Sequence, residues 1–157
     1  MVGNIRYTII RHSNIYGPHD KFDLDKSHVF GATITKVMKA KNEIEVWGGG
    51  KEIRDFLYID DLVDFVKKAK QKQKTSYEIY NCGSGKPITI KDLCKLVIEI
   101  SNKNIKLKFN KSKPTIPFNL YLNCNKAKKE LNWAPKTDIN FGIKKTIKWW
   151  ENNIRRS

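Results

Sequence analysis

The chain has 157 residues, 39% of them hydrophobic, and its 31 Lys and Arg against 16 Asp and Glu leave a formal charge of +15. This is one domain's worth of chain, long enough to bury a core, so a disordered tail is not expected. No apolar run approaches a membrane span, no signal-peptide pattern opens the sequence, and the three cysteines (Cys82, Cys94, Cys124) lack paired spacing; a cytoplasmic protein with no metal site and no disulfide framework is expected.

Ile5–Ile10 has the pattern of a buried strand. After it, Ser27 can cap a helix with Phe30, Ile34, Val37 and Met38 on one face. Glu43–Trp47 is a short strand, Gly48-Gly49-Gly50 a turn, and Ile53–Ile59 a second strand with Arg54 near its start. Asp60 or Asp61 then caps a helix facing inward with Leu62, Phe65, Val66 and Ala69, and Lys67–Lys74 forms its solvated end and a linker. Tyr77–Asn81 is a strand running into Gly83-Ser84-Gly85. Thr89-Ile90-Lys91-Asp92 is a capping-box pattern opening a helix with Leu93, Leu96, Val97 and Ile100 inward. Ile105–Phe109 is a strand, residues 111–119 an irregular loop, and Asn125–Leu131 a short helix. The last helix starts near Phe141 and buries Ile143, Ile147, Trp150 and Ile154.

The stretch of most chemical interest runs from Ile10 to Asp20 and on to His28. A strand ending in a polar loop is how open α/β sheets present ligand-binding groups at their carboxyl edge. Asn14, Tyr16 and His28 offer an amide, a phenol and an imidazole, enough for hydrogen bonding and proton transfer near neutral pH. Gly49-Gly50-Lys51 and Gly83-Ser84-Gly85-Lys86 hint at phosphate loops, but Glu45 and Tyr80 stand where the first glycine belongs, and Glu52 and Pro87 where Ser or Thr belongs. The positive charge suits a solvated lysine surface, a nucleic acid or an anionic small ligand. No nucleic-acid motif accompanies it, and lysines occur on every expected helix, so neither a nucleic-acid partner nor a membrane is expected.

The segments NIYGPHD and SHV, then VWGGGKEIRDFLYIDDL, YNCGSGKPITIKDL and NKAKKELNWAPKTDINFGIKKTIKWW, resemble the C-terminal half of the extended short-chain dehydrogenase/reductases, the NAD-dependent epimerase/dehydratase family. The GPHD…SHV combination is most similar to the GDP-L-fucose synthase branch, the GDP-4-keto-6-deoxymannose epimerase/reductases. The resemblance implies an α/β chain: the C-terminal part of a Rossmann-like fold with the smaller substrate-binding domain, without the N-terminal dinucleotide-binding half. Residues 1–157 are then one substrate-binding domain, with the last Rossmann strand and active-site loop in 1–26 and the substrate-binding subdomain in 27–157.

The resemblance also implies roles. Asn14 lies in the active site, and His28 is the general acid of the epimerisations, returning a proton to the inverted carbon. His12 (proline in the family), Ser13 and Ile15 lie at the nicotinamide end of the cofactor, NADP or NAD. Lys36, where arginine is usual, and Arg54 bind the nucleotide diphosphate of a nucleotide-sugar substrate, a GDP-sugar. The further basic residue expected before the short helix is missing from Pro117–Asn123.

The family's Gly-x-x-Gly-x-x-Gly turn and Tyr-x-x-x-Lys pair do not occur in these 157 residues. The expectation is therefore a fragment or split gene that binds no cofactor alone and is catalytically inactive alone; the alternative is a non-catalytic nucleotide-sugar-binding or partner-regulating domain. With an open strand edge, it is expected to form a homo-oligomer or pair with a separate N-terminal half.

Overall fold

A computed structural model describes residues 5–116 and 118–154. The expected segments 1–26 and 111–119 therefore contain residues 1–4 and Pro117, which lie outside the described residues.

The elements, in order, are β1 (Tyr7–His12), β2 (Asn14–Tyr16), α1 (Val29–Lys39), β3 (Glu43–Trp47), β4 (Ile53–Arg54), β5 (Phe56–Tyr58), α2 (Ile59–Lys72), β6 (Tyr77–Cys82), β7 (Ile88–Thr89), α3 (Ile90–Ile100), β8 (Lys106–Asn110), α4 (Asn125–Leu131) and α5 (Ile139–Asn153). The strands pair in twos. β1–β6, β2–β5 and β3–β8 are parallel, and β4–β7 is antiparallel. Each parallel pair is joined through helices, the arrangement of α/β folds.

The β2–β5 ladder forms a wall between two cores. Successive side chains of a strand point to opposite faces. Tyr16, Phe56 and Tyr58 pack into one cluster with Phe30 and Ile34 of α1, Leu93 and Val97 of α3, and Ile143 and Trp150 of α5. Leu57, between Phe56 and Tyr58, enters the other cluster with Phe65 of α2, Tyr80 and Cys82 of β6, Leu131 and Trp133. Complete burial of a side chain such as Ile34, Leu57 or Leu93 contributes about 1.5–3 kcal/mol.

Several details depart from expectation. The Ile53–Ile59 strand is split in two, because Asp55 turns its side chain into a buried hydrogen-bond site. Tyr58, not Asp60 or Asp61, is the N-cap of α2, and its side chain makes no cap bond. Asp61 is buried and accepts the Lys136 and Thr137 N–H groups at 2.9 and 3.1 Å. His28 rather than Ser27 caps α1, again without a side-chain bond. Helix α2 runs through Lys67–Lys72, and Gln73 after it is buried, its Nε2 donating to the Tyr7 carbonyl at 2.8 Å; only the residues beyond it are linker. Val66 is exposed: α4 packs on the Phe65–Ala69 side of α2, and Val66 lies one residue round the helix from it. Helix α5 starts at Ile139, capped by Asp138. The Thr89 capping pattern holds, with Thr89 Oγ1 accepting the Asp92 N–H at 3.0 Å.

The strand expected to be buried is covered on one face only. Ile5, Tyr7 and Ile9, alternate residues sharing a face, are 63%, 59% and 46% exposed, and Tyr77 beside Tyr7 is 52% exposed. Among the described residues β1 pairs with β6 alone, and no layer covers this face.

Candidate functional site

β1 ends at His12 and β2 begins at Asn14, so the chain passes from one parallel ladder to the next across Ser13. Ser13 donates its N–H to the Cys82 carbonyl at 3.0 Å. Asn14 is fixed twice on one acceptor: its main-chain N–H and its Nδ2 both donate to the Asp55 carbonyl at 3.1 Å. A cleft of about 510 Å³ opens beside this crossing. That is the size of a small-molecule site, typically about 300–1,000 Å³.

His12, Ser13, Asn14, Ile15 and His28 all line this cleft, with Phe30, Phe56, Ile59 and Leu120 as apolar wall. His28 is brought in by the N-terminus of α1, while the other four come from the β1–β2 crossing. Buried Tyr16 also reaches it, but stacks on Phe30 with ring centroids 4.0 Å apart; burial first, then the charges of Tyr58, Asp61 and Asp138, push its phenol pKa up. Its ring also packs edge-on against Tyr58, with centroids 5.4 Å apart. The Ser13 hydroxyl is buried and makes no hydrogen bond among the described residues.

Lys36 and Arg54 are not among the residues lining this cleft. Lys36 Nζ donates to the Glu45 carbonyl at 2.9 Å and lies 5.7 Å from the centre of the Trp47 ring, which Lys113 Nζ also approaches to 5.5 Å. Arg54 reaches three carbonyls: Ile53 at 2.8 Å, Ile116 at 2.8 Å, and Phe118. Its Nε and one Nη2 hydrogen have no partner among the described residues. Leu120, bridged to Arg54 in a parallel β-bridge, also lines the cleft.

Two carboxylates to which the sequence assigns no role belong to the site. Asp20 lines the cleft; burial pushes its pKa up, while the Lys21 N–H and the charges of His28 and Lys21 pull it down. Asp55 is fully buried and accepts the Ser84 N–H and hydroxyl, the Gly85 N–H and the Leu122 N–H. Its signal in sequence was only its place between Arg54 and Phe56, where a strand pattern continues without interruption.

Asp55 also decides how well the described residues fit a dinucleotide. The Gly83–Gly85 turn does cradle an anion, but the anion is the Asp55 carboxylate, and a side chain on Gly83 would run into it. The turn has no amides left for a pyrophosphate, and the Asp55 charge would repel one. The Gly83–Gly85 turn therefore does not fit the phosphates of a dinucleotide. Among the described residues no group of three or more His, Cys, Asp or Glu could hold a metal, and no helix is long and apolar enough to cross a membrane.

The model of the NAD dependent epimerase/dehydratase family matches residues 2–83, which include both ladders of the crossing and the Asn14 and His28 of the cleft. The chain belongs to that family. Family relatives include a probable GDP-L-fucose synthase of Oryza sativa subsp. japonica, 36% identical over 146 residues (90% of this chain, 44% of the relative). GDP-L-colitose synthase of Yersinia pseudotuberculosis is 34% identical over 143 residues (88% and 46%). A solved family structure, UDP-glucose 4-epimerase of Thermotoga maritima with UDP-glucose, superposes with a TM-score of 0.84 at 27% identity, covering 95% of this chain and 47% of that one. The fold is thus the α/β, Rossmann-like fold of the short-chain dehydrogenase/reductases, and the chain spans about half the length of the curated family relatives it matches.

Proposed function

We propose that the chain is the nucleotide-sugar-binding half of an NAD(P)-dependent epimerase/reductase, with a GDP-sugar as ligand. The observation that carries this reading is the convergence of Asn14 and His28, from separate elements, on one cleft of small-molecule size. Asn14 has Nδ2 committed to Asp55, so Oδ1 accepts from a sugar hydroxyl. His28, exposed and with no side-chain cap bond, is placed to move a proton at a carbon beside a ketone. Lys36 lies eight residues further along α1, about 12 Å down the helix axis, a distance a sugar diphosphate bridges. It takes the diphosphate together with the two unspent donors of Arg54.

On this reading His12, Ser13 and Ile15 meet the nicotinamide end of NADP or NAD, whose phosphates need residues this chain does not carry. The chain alone binds no cofactor and turns over no substrate. It works in the cytoplasm, and its exposed β1 face is covered by a second copy or a separate N-terminal half. Light scattering that gives a monomer at every concentration would remove the second copy and leave the separate N-terminal half.

Calorimetric titration with GDP and GDP-mannose, against UDP-glucose, tests the assignment. GDP-selective binding, weakened by Lys36→Ala and by Arg54→Ala, is expected. Equal binding of UDP-glucose removes the GDP assignment, and no binding to any of the three contradicts the reading.

A further inference from the structure

The turn after β3 is crossed by the loop that follows β8. Gly48 donates its N–H to the Asn110 carbonyl at 2.8 Å, one bond beyond the β3–β8 ladder, and Lys113 turns its own N–H back to the same carbonyl at 3.3 Å. A side chain on Gly48 would run into the Thr115 methyl. The Ile116 carbonyl then meets the Arg54 guanidinium at 2.8 Å. One loop thus reaches from Trp47, at Lys113, to Arg54, at Ile116. Lys36 of α1 and Lys113 of this loop bring their ammonium groups to 5.7 and 5.5 Å from the centre of the Trp47 ring, which is 49% exposed. Two carboxylates lie on the turn. Glu45 accepts Trp47 Nε1 and Asn110 Nδ2 at 3.1 and 2.9 Å, and Glu52 Oε1 is 2.9 Å from where a Cβ on Gly48 would stand. Yet none of Lys36, Lys113 and Arg54 forms an ion pair with a carboxylate among the described residues. The Lys113 ammonium makes no hydrogen bond among them either. An aromatic face attracts an ammonium through its quadrupole and uses none of its N–H donors, so all three remain available.

We propose that Lys113 is a diphosphate-binding residue: with Lys36 and Arg54 it makes a three-cation site for a nucleoside diphosphate, and it supplies from the loop the positive charge that Pro117–Asn123 lacks. This rests on the reading of Lys36 and Arg54 as nucleotide residues. Like charges gathered from three separate elements repel one another, and a bound polyanion removes that repulsion. A hydrogen bond from an ammonium to a phosphate oxygen outweighs an exposed ring contact, so the Lys113 ammonium passes from Trp47 to the phosphate when one is bound.

The experiment titrates inorganic pyrophosphate and, separately, GDP into the whole chain, Lys113→Ala and Lys111→Ala at one ionic strength, following the Trp47 indole N–H by NMR. Lys111 and Lys113 are both exposed, and Lys111→Ala removes the same charge from the same loop, which controls for the net charge of +15. Lys113→Ala should weaken both ligands by about fivefold or more, as a hydrogen bond to a charged group is lost, and Lys111→Ala by about twofold or less, as for an exposed charge. Equal losses in the two variants overturn the proposal, and so does a Trp47 signal that neither ligand moves. The two readings fail separately. GDP binding weakened by Lys36→Ala and Arg54→Ala but not by Lys113→Ala keeps the nucleotide reading and overturns the role of Lys113. Pyrophosphate binding weakened by Lys113→Ala, with GDP held no more tightly than UDP, keeps the three-cation site and removes the GDP assignment.

Discussion

Asn14 places its main-chain N–H and its side-chain Nδ2 on the same acceptor, the carbonyl of Asp55, both at 3.1 Å. Asp55 in turn holds the Gly83–Gly85 turn and Leu122 through its carboxylate. One buried residue therefore ties the cleft asparagine to two separate segments of chain.

Asp55→Asn tests that arrangement. The amide keeps the shape but loses the charge, and its NH₂ must face main-chain donors. Stability should fall by about 2–3 kcal/mol, the cost of losing bonds to a buried charged acceptor, read as a lower urea midpoint at unchanged slope. A loss below about 0.5 kcal/mol, the level of ordinary surface substitutions, would mean that Asp55 does not organise the site.

Lys103 donates its ammonium to the carbonyls of Val37, Met38 and Ala40 at 2.9, 2.7 and 2.7 Å. These include orphan acceptors at the C-terminal end of α1, where a cation is also favoured by the helix dipole. Lys103→Met keeps most of the stem and removes the donors. We expect a loss of about 1–3 kcal/mol and faster amide exchange in the last turn of α1; unchanged exchange there would contradict the capping role.

Asp138 caps α5, accepting from the Asn140 side chain and N–H at 3.0 and 2.9 Å. These two bonds, the side-chain one first, hold its pKa below the usual carboxylate value. A carboxyl with a lowered folded pKa contributes stability above its unfolded pKa and loses it as pH falls through the folded one. Asp138→Ala should therefore cost about 1 kcal/mol near neutrality, as for other N-caps, and the gap to wild type should close in acid. A gap that stays constant between pH 7 and pH 2 would show that the charged cap is not the cause.

Most helices and strands were legible because their apolar spacing is regular: α1 and α3 bury the faces read from Phe30, Ile34 and Val37 and from Leu93 and Val97. The cleft was partly legible too, since Asn14 and His28 stand out as polar residues flanking a Gly-Pro turn. What was not legible depends on distant contacts. Asp55 sits in a run that reads as one strand, and the Ser84 and Leu122 donors that draw its side chain in lie 29 and 67 positions on. Lys103 is one of 31 basic residues, with nothing local to mark it as a cap. Asp61 looks like a helix start from its neighbours, but its partners lie at Lys136 and Thr137. The exposure of Val66 and of the β1 face follows from which layers are present, which spacing does not reveal.

The most direct test of the central claim is to map GDP-mannose onto the protein by NMR, following every assigned amide and imidazole during titration. Perturbations should concentrate at Asn14 and His28 around the cleft and extend to Lys36 and Arg54. Shifts confined to the lysine faces of α2 and α4, with Asn14 and His28 unmoved, would contradict the assignment of this cleft as the nucleotide-sugar site.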